Sequence, residues 1–196
     1  RILFGRATEM INDGRLAEAD GLLNQVLEDP YNRTVLPYAY FWKGEIGYRN
    51  KQLDTAIKYF HAYMDAGAPT AGEANPVNAK YNLGYSYLRK ENFKVSVTFF
   101  EPLIKAPALN TDAFTQDAYL RTADNYFMMK NYDKARSMYD NAIKLSWPAE
   151  DYATFQIALL AGVKSSNEKI ALLNTMMRKF PTSSLVTDAN MEVANT

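Results

Sequence analysis

The sequence predicts an all-α fold of helical hairpins repeated along the chain, and three observations predict it. Four times a short polar turn is followed by a small residue and, four positions later, a large one: GRLAEADGLL, KQLDTAIKYF, ENFKVSVTFF and NYDKARSMYD. Positions i and i+4 lie one above the other on a helix, so each pair marks one face. The small members recur at similar distances, 37 residues from Ala19 to Ala56, 40 from Ala56 to Ser96 and 39 from Ser96 to Ala135. Seven of the eight prolines fall at or near the ends of the helices so marked. A recurrence of this kind reads as a single array over residues 1–196, in which neighbouring hairpins share a continuous ribbon of core.

The first unit, about residues 1–32, carries Ala7, Met10, Gly14, Leu16, Ala19 and Leu23 and closes at Pro30. The second, about 37–67, has Tyr40, Gly44, Leu53, Ala56 and Phe60; the third, about 76–107, has Leu83, Gly84, Tyr87, Phe93, Ser96 and Phe100. The fourth, about 113–147, is the cleanest. Tyr119, Ala123 and Tyr126 stand at helical spacing, Asn131 makes the turn, and Tyr132, Ala135, Tyr139 and Ala142 run down a second helix that ends at Trp147-Pro148. One apolar stripe per helix makes the unit an antiparallel hairpin, with small residues where the two backbones approach. A fifth unit, about 150–182, ends at Phe180-Pro181 and lacks the small residue in its second helix. Residues 184–196 read as the opening helix of a further unit or as a cap, with Val193 and Ala194 at its apolar and small positions.

Between units, Ala66-Gly67-Ala68-Pro69-Thr70-Ala71-Gly72 and Ala106-Pro107-Ala108-Leu109-Asn110 have loop composition. Pro102 is the proline that falls inside a helix, where it deprives the Thr98 carbonyl of its amide partner; either the helix is kinked there or it begins its last turn at Pro102, and a tolerated kink is the expectation.

These positions resemble the tetratricopeptide repeat, whose units place a small residue in the middle of the first helix, an Ala early in the second, an aromatic four residues later and often a terminal Pro. The resemblance covers nearly the whole chain. Ser96 stands for the usual Ala, and Gly47 falls where a Tyr is expected. The spacing also exceeds the family period of about 34 residues, which lengthens the connections. The resemblance implies a right-handed superhelix, a non-enzymatic role, and a concave groove lined by the first helices that contacts a peptide or a partner helix. More loosely, Phe180-Pro181-Thr182-Ser183 and Asp151-Tyr152-Ala153 look like segments of the long arrays of bacterial cell envelopes. A periplasmic or outer-membrane-associated location follows as the expectation, with the cytoplasm as the alternative. Because Arg1 falls in the middle of a helical pattern, the chain reads as a piece of a longer array.

Carried over by alignment, the groove would present Tyr38, Phe41, Glu45, Tyr48 and Arg49 from the second unit. The third offers Asn78, Tyr81, Asn82, Tyr85 and Arg89, and the fourth Asp117, Leu120, Arg121, Asp124 and Phe127. Aromatic faces interleaved with Arg, Asn and acid supply stacking area and directed hydrogen bonds. The competing reading packs Phe41, Tyr81 and Leu120 between first helices; Leu120 and Phe127 are expected in the core, and Tyr48, Arg49, Tyr85 and Arg89 at the surface. Some family members grip a C-terminal carboxylate through cations and asparagines in three units. The corresponding positions here are Phe41 and Glu45, Asn82, then Asp117 and Arg121, so only Asn82 and Arg121 keep the pattern and no such clamp is expected.

Composition removes other classes. Lys plus Arg and Asp plus Glu each number 22, without a long basic run, which argues against a nucleic-acid surface. No cysteine is present, so disulfides and thiolate chemistry are absent. No apolar stretch is long enough to span a bilayer. No metalloprotease, nucleophile-elbow or phosphate-loop motif occurs, and no metal or cofactor is expected. Asp54, Asp133 and Glu168 read as first-turn acids that complement helix dipoles. His61 reads as a partly exposed surface residue, and Asn32-Arg33-Thr34 as a turn with an incidental acceptor pattern. The function expected is a scaffold for a protein or peptide partner. A module stacking a glycan or peptidoglycan fragment on its aromatic face is the alternative.

Overall fold

Every polar turn of the sequence pattern sits between two packed helices. The computed structural model describes residues 1–196. The first hairpin is α1 (Ile2–Asn12) and α2 (Leu16–Glu28), the second α3 (Leu36–Arg49) and α4 (Leu53–Asp65). In the third, α5 (Pro76–Arg89) is followed by α6 (Phe93–Phe100) and a 3₁₀ turn at Glu101–Leu103. The fourth is α7 (Ala113–Met128) with α8 (Tyr132–Lys144), the fifth α9 (Glu150–Gly162) with α10 (Ser166–Lys179), and α11 (Val186–Ala194) packs on α10. The chain divides into two compact units, Arg1–Phe99 and Phe100–Thr196.

Four of the hairpin turns are built alike. Gly14, Lys51, Glu91 and Lys130 follow the first helices with φ of 76°, 59°, 58° and 62°. The next residue then donates its amide back across the helix end: Arg15 to the Met10 carbonyl, Gln52 to Gly47, Asn92 to Tyr87 and Asn131 to Tyr126, at 2.8–2.9 Å. This six-to-one bond with a left-handed residue is the Schellman termination, and it satisfies carbonyls that the helix end leaves without partners.

In the first unit one core gathers Ala7, Ile11, Ala19, Leu23, Val26, Ala39 and Ile46, and a second gathers Phe41, Ala56, Phe60, Tyr63, Ala79 and Leu83. The small residues are small because something stands against them. A Cβ on Gly44 would fall 2.9 Å from the Phe60 ring, and one on Gly47 would fall 2.9 Å from the Ala56 backbone nitrogen. Gly47 thus replaces the family tyrosine because the start of α4 crosses α3 there at backbone distance. The Ser96 hydroxyl donates to the Gly84 carbonyl at 2.7 Å, which satisfies the hydroxyl that stands where the pattern has Ala. The long connection after α4 is pinned. Ala71 and Ala74 exchange backbone hydrogen bonds, Ala74 is buried, and the Tyr63 hydroxyl donates to the Pro69 carbonyl at 2.8 Å.

In the second unit Phe155, Ala158, Leu173, Met176 and Ala189 join α9, α10 and α11. Trp147 is buried edge-on to Tyr119, and its indole N–H donates to the Ala108 carbonyl at 3.0 Å, holding the connection before α7. The kink expected at Pro102 is not what forms. The α-helix ends at Phe100 and Pro102 sits inside the 3₁₀ turn, where its fixed φ is at home and no i to i−4 amide is required of it. Asp54, Asp133 and Glu168 do occupy first turns. Asn32 is buried, and its amide donates to the Asp29 carboxylate at 3.1 Å, so it is a turn residue.

Candidate partner-binding face

In the first unit, α3 and α5 lie side by side and bring most of the expected groove residues of the second and third hairpins together. The guanidinium of Arg89 lies 4.7 Å from the Tyr48 ring centroid and 5.9 Å from that of Tyr85. Tyr85 in turn meets Tyr81 edge to face at 5.0 Å. The i, i+4 spacing of Tyr81, Tyr85 and Arg89 stacks them along one stripe of α5, and Tyr48 reaches it from the end of α3. Glu45 laces the two helices: one carboxylate oxygen accepts from Arg49 Nε at 2.8 Å and the other from Asn82 Nδ2 at 2.9 Å. Arg49 is therefore neutralised by a carboxylate, whereas Arg89 is held by aromatic faces and stays exposed. A cation over two rings is oriented without being neutralised, which leaves its N–H edge for another molecule.

Three expected groove residues do other work. Phe41 is 2% exposed and packs edge to face on Phe60 and Tyr63, so it is core and leaves the face. Tyr38 is half-buried against the same core and near the Phe4 ring. Asn78 is tied to the loop before α5, its side chain donating to the Glu73 carbonyl and its backbone amide to Asn75.

Asp117, Arg121 and Asp124 belong to the second unit and form a cluster of their own. Arg121 reaches Asp124 at 2.9 Å and Asp117 at 3.6 Å, and its guanidinium stacks 4.9 Å from the Tyr152 ring. Asp124 also accepts from the hydroxyls of Tyr139 and Tyr152. Burial pushes the Asp124 carboxyl above its ordinary value, against the pull of Arg121 and the two hydroxyls. Burial, reinforced by the Asp124 charge, pushes both tyrosines up as well, so they remain hydrogen-bond donors. This network joins α7, α8 and α9 and reads as an internal strut. Leu120 is buried as expected, and Phe127 is half-buried against Tyr132.

Sequence reasoning missed Lys43. Its side chain is 7% exposed and donates to Asp20 at 2.6 Å and to Asn24 at 2.8 Å, both on α2, with Tyr59 beside it. The signal was present: Ala39, Lys43 and Ile46 share the i, i+4, i+7 stripe, and a cation on a buried stripe demands a partner. His61 is partly exposed, as expected, with its Nε2 2.9 Å from the Tyr87 hydroxyl and its ring edge-on to Phe99. No group of three or more His, Asp or Glu side chains is arranged to hold a metal ion, and no helix is long and apolar enough to cross a membrane.

Residues 117–146, the α7–α8 hairpin, match the tetratricopeptide repeat. The chain has the tetratricopeptide-repeat fold. Solved tetratricopeptide structures share its fold. YrrB, described as a TPR protein with an unusual peptide-binding site, superposes with a TM-score of 0.74 over 96% of this chain and 90% of its own at 15% identity. A tetratricopeptide repeat protein from Parabacteroides merdae gives 0.69 over 97% of this chain and 70% of its own at 16% identity. MamA from Desulfovibrio magneticus gives 0.69 over 93% and 96% at 13% identity. At such identities the likeness carries the fold alone, and the all-α array of tetratricopeptide hairpins is the one the sequence predicts. No protein of curated function matches the sequence.

Proposed function

We propose that this chain is a non-enzymatic scaffold that holds an extended peptide or a helix of a protein partner against the α3–α5 face of its first unit. The observation that carries the reading is Arg89, stacked on Tyr48 and Tyr85 with its polar edge outward, beside the Glu45–Asn82 lacing that keeps α3 and α5 in register. Aromatic and Arg side chains of this kind supply most of the energy of protein interfaces, because they bury large area with little rotamer loss. The tetratricopeptide fold implies a protein or peptide partner, and the peptide site of YrrB supports the same class here.

The test is a peptide display selection against the whole chain, followed by affinity measurements on Tyr85→Ala/Arg89→Ala. Loss of a hot spot is worth about 2 kcal/mol, or roughly thirtyfold in Kd, and the melting midpoint should move little because Arg89 is exposed. Selected peptides that bind the double variant unchanged would overturn the assignment of this face.

We propose further that the chain serves as one section of a longer array in the bacterial envelope, a reading supported by the likeness of its Phe180–Ser183 and Asp151–Ala153 segments to such arrays. Recovery of the native protein wholly in the cytoplasmic fraction rejects that location.

A further inference from the structure

A second site is built into the other unit, independent of the α3–α5 face. Between the 3₁₀ turn and the α7–α8 hairpin lies a cavity of about 390 Å³. Its walls are Ile104, Met138 and the rings of Tyr119 and Tyr126. Thr122 turns its hydroxyl back to the Ala118 carbonyl at 2.8 Å and so shows the cavity its methyl group. Tyr119 accepts from Asn141 at 2.9 Å, which leaves its own O–H to donate.

The rim is charged and balanced. Lys134 Nζ donates to the Tyr126 hydroxyl at 2.6 Å and sits 4.0 Å from that ring's centroid. Tyr126 donates to Glu101, and Glu101 and Lys134 stand 3.7 Å apart with side chains 44% and 53% exposed. A separation of 3.7 Å is longer than a hydrogen bond, so the ammonium and the carboxylate keep capacity for other partners. Pro102 creates the arrangement by ending α6 in a 3₁₀ turn that packs on α7 and carries Glu101 to Tyr126.

We propose that this cavity binds a free α-amino acid with an apolar side chain. An amino acid carries an ammonium and a carboxylate on one carbon, matching neighbouring anionic and cationic groups on the rim, while its side chain enters the space between Ile104 and Met138. The balanced rim selects against other charge types: a phosphate would meet the Glu101 carboxylate, and a polyamine would meet the Lys134 ammonium. The volume lies near the low end of small-molecule sites, about 300–1,000 Å³, which suits a single amino acid rather than an oligosaccharide or a folded segment.

The experiment is calorimetric titration of the whole chain with leucine, methionine and phenylalanine, alongside N-acetyl-leucine, leucinamide and glycine, with melting midpoints recorded in parallel. The free apolar amino acids should bind and raise the midpoint, since a ligand of the native state alone must do so. The two blocked forms, each lacking one charge, should bind about tenfold or more weakly, as should Glu101→Gln and Lys134→Gln with free leucine. Both substitutions fall on half-exposed side chains and keep an amide able to bond the Tyr126 hydroxyl, so the unliganded midpoint should move little. Should either variant be unstable, the Met138 methyl resonance of the wild-type chain reports occupancy directly and should shift with leucine and not with glycine. No binding at millimolar leucine, or equal binding of the free and blocked forms, overturns the proposal.

Discussion

Three of the four hairpin turns closed by a Schellman bond carry a residue other than glycine in the left-handed region, and replacing each by glycine should stabilise the protein. Lys51, Glu91 and Lys130 have φ of 59°, 58° and 62°, where the Cβ of an L-residue crowds the following carbonyl at a cost of about 1–2 kcal/mol. Glycine escapes that cost and gives back about 0.5–1 kcal/mol through the greater freedom of its unfolded chain. The net expectation is about 0.5–1 kcal/mol per turn. All three side chains are exposed, so little packing is lost with them. Lys130→Gly is the cleanest single test because its hairpin carries the most regular pattern. The triple variant should gain about 2 kcal/mol if the turns act independently. Urea unfolding followed by far-ultraviolet circular dichroism reads the gain as a higher midpoint with an unchanged slope. Gly14→Ala is the converse, since that turn already has glycine at φ of 76°, and it should lose about 1–2 kcal/mol. A lower midpoint for Lys130→Gly, or an unchanged one for Gly14→Ala, would refute the claim that backbone conformation governs these turns.

Other perturbations separate the remaining forces. Gly47→Ala puts a Cβ against the Ala56 backbone nitrogen, which cannot swing aside as a side chain would, and should cost about 2 kcal/mol despite alanine's better helix propensity; thermal melts check it. Asp20→Ala strips the counter-charge from buried Lys43 and should cost about 1–2 kcal/mol, below the about 3–5 kcal/mol of a fully buried pair because Asp20 is 36% exposed. Lys43→Leu removes the charge itself and should be near neutral, so equal losses for the two variants would contradict the reading. Asp112 caps α7 by accepting from the Thr115 backbone amide and hydroxyl, and these bonds hold its carboxyl below the ordinary value. A depressed folded value contributes stability above the ordinary aspartate pKa and loses it as pH falls through the folded one. Exchange protection of the first turn of α7 should therefore fall on acidification in the wild type and much less in Asp112→Asn, and identical pH profiles would exclude the cap as its source.

The hairpins were legible because their code is local. Ala56 with Phe60 and Ala135 with Tyr139 are fully buried, one turn apart on one helix, and a spacing of four shows this without any partner in view. That Tyr81, Tyr85 and Arg89 share one stripe of α5 is legible for the same reason. What escaped was nonlocal. Alignment alone puts Arg121 on the groove, and nothing local shows that it pairs with Asp124 and stacks on Tyr152 while Tyr139 and Tyr152 hold Asp124 from two further helices. Pro102 could kink a helix or end it, and only the 3₁₀ turn chooses between them. Gly47 looked like a poor match to the repeat until the nearness of α4 made it a requirement.

The Lys43 pair bears on the order of the hairpins. Repeat units that present similar mixtures of small and large apolar residues are close to interchangeable, and a duplicated or transposed unit finds some acceptable neighbour. The unit containing α3 is an exception. Its ammonium enters the junction with α2 and is met there by Asp20 and Asn24, so the same hairpin set behind an apolar neighbour would trap a charge with nothing to receive it. Recombination within such a gene would have to move the first two hairpins together.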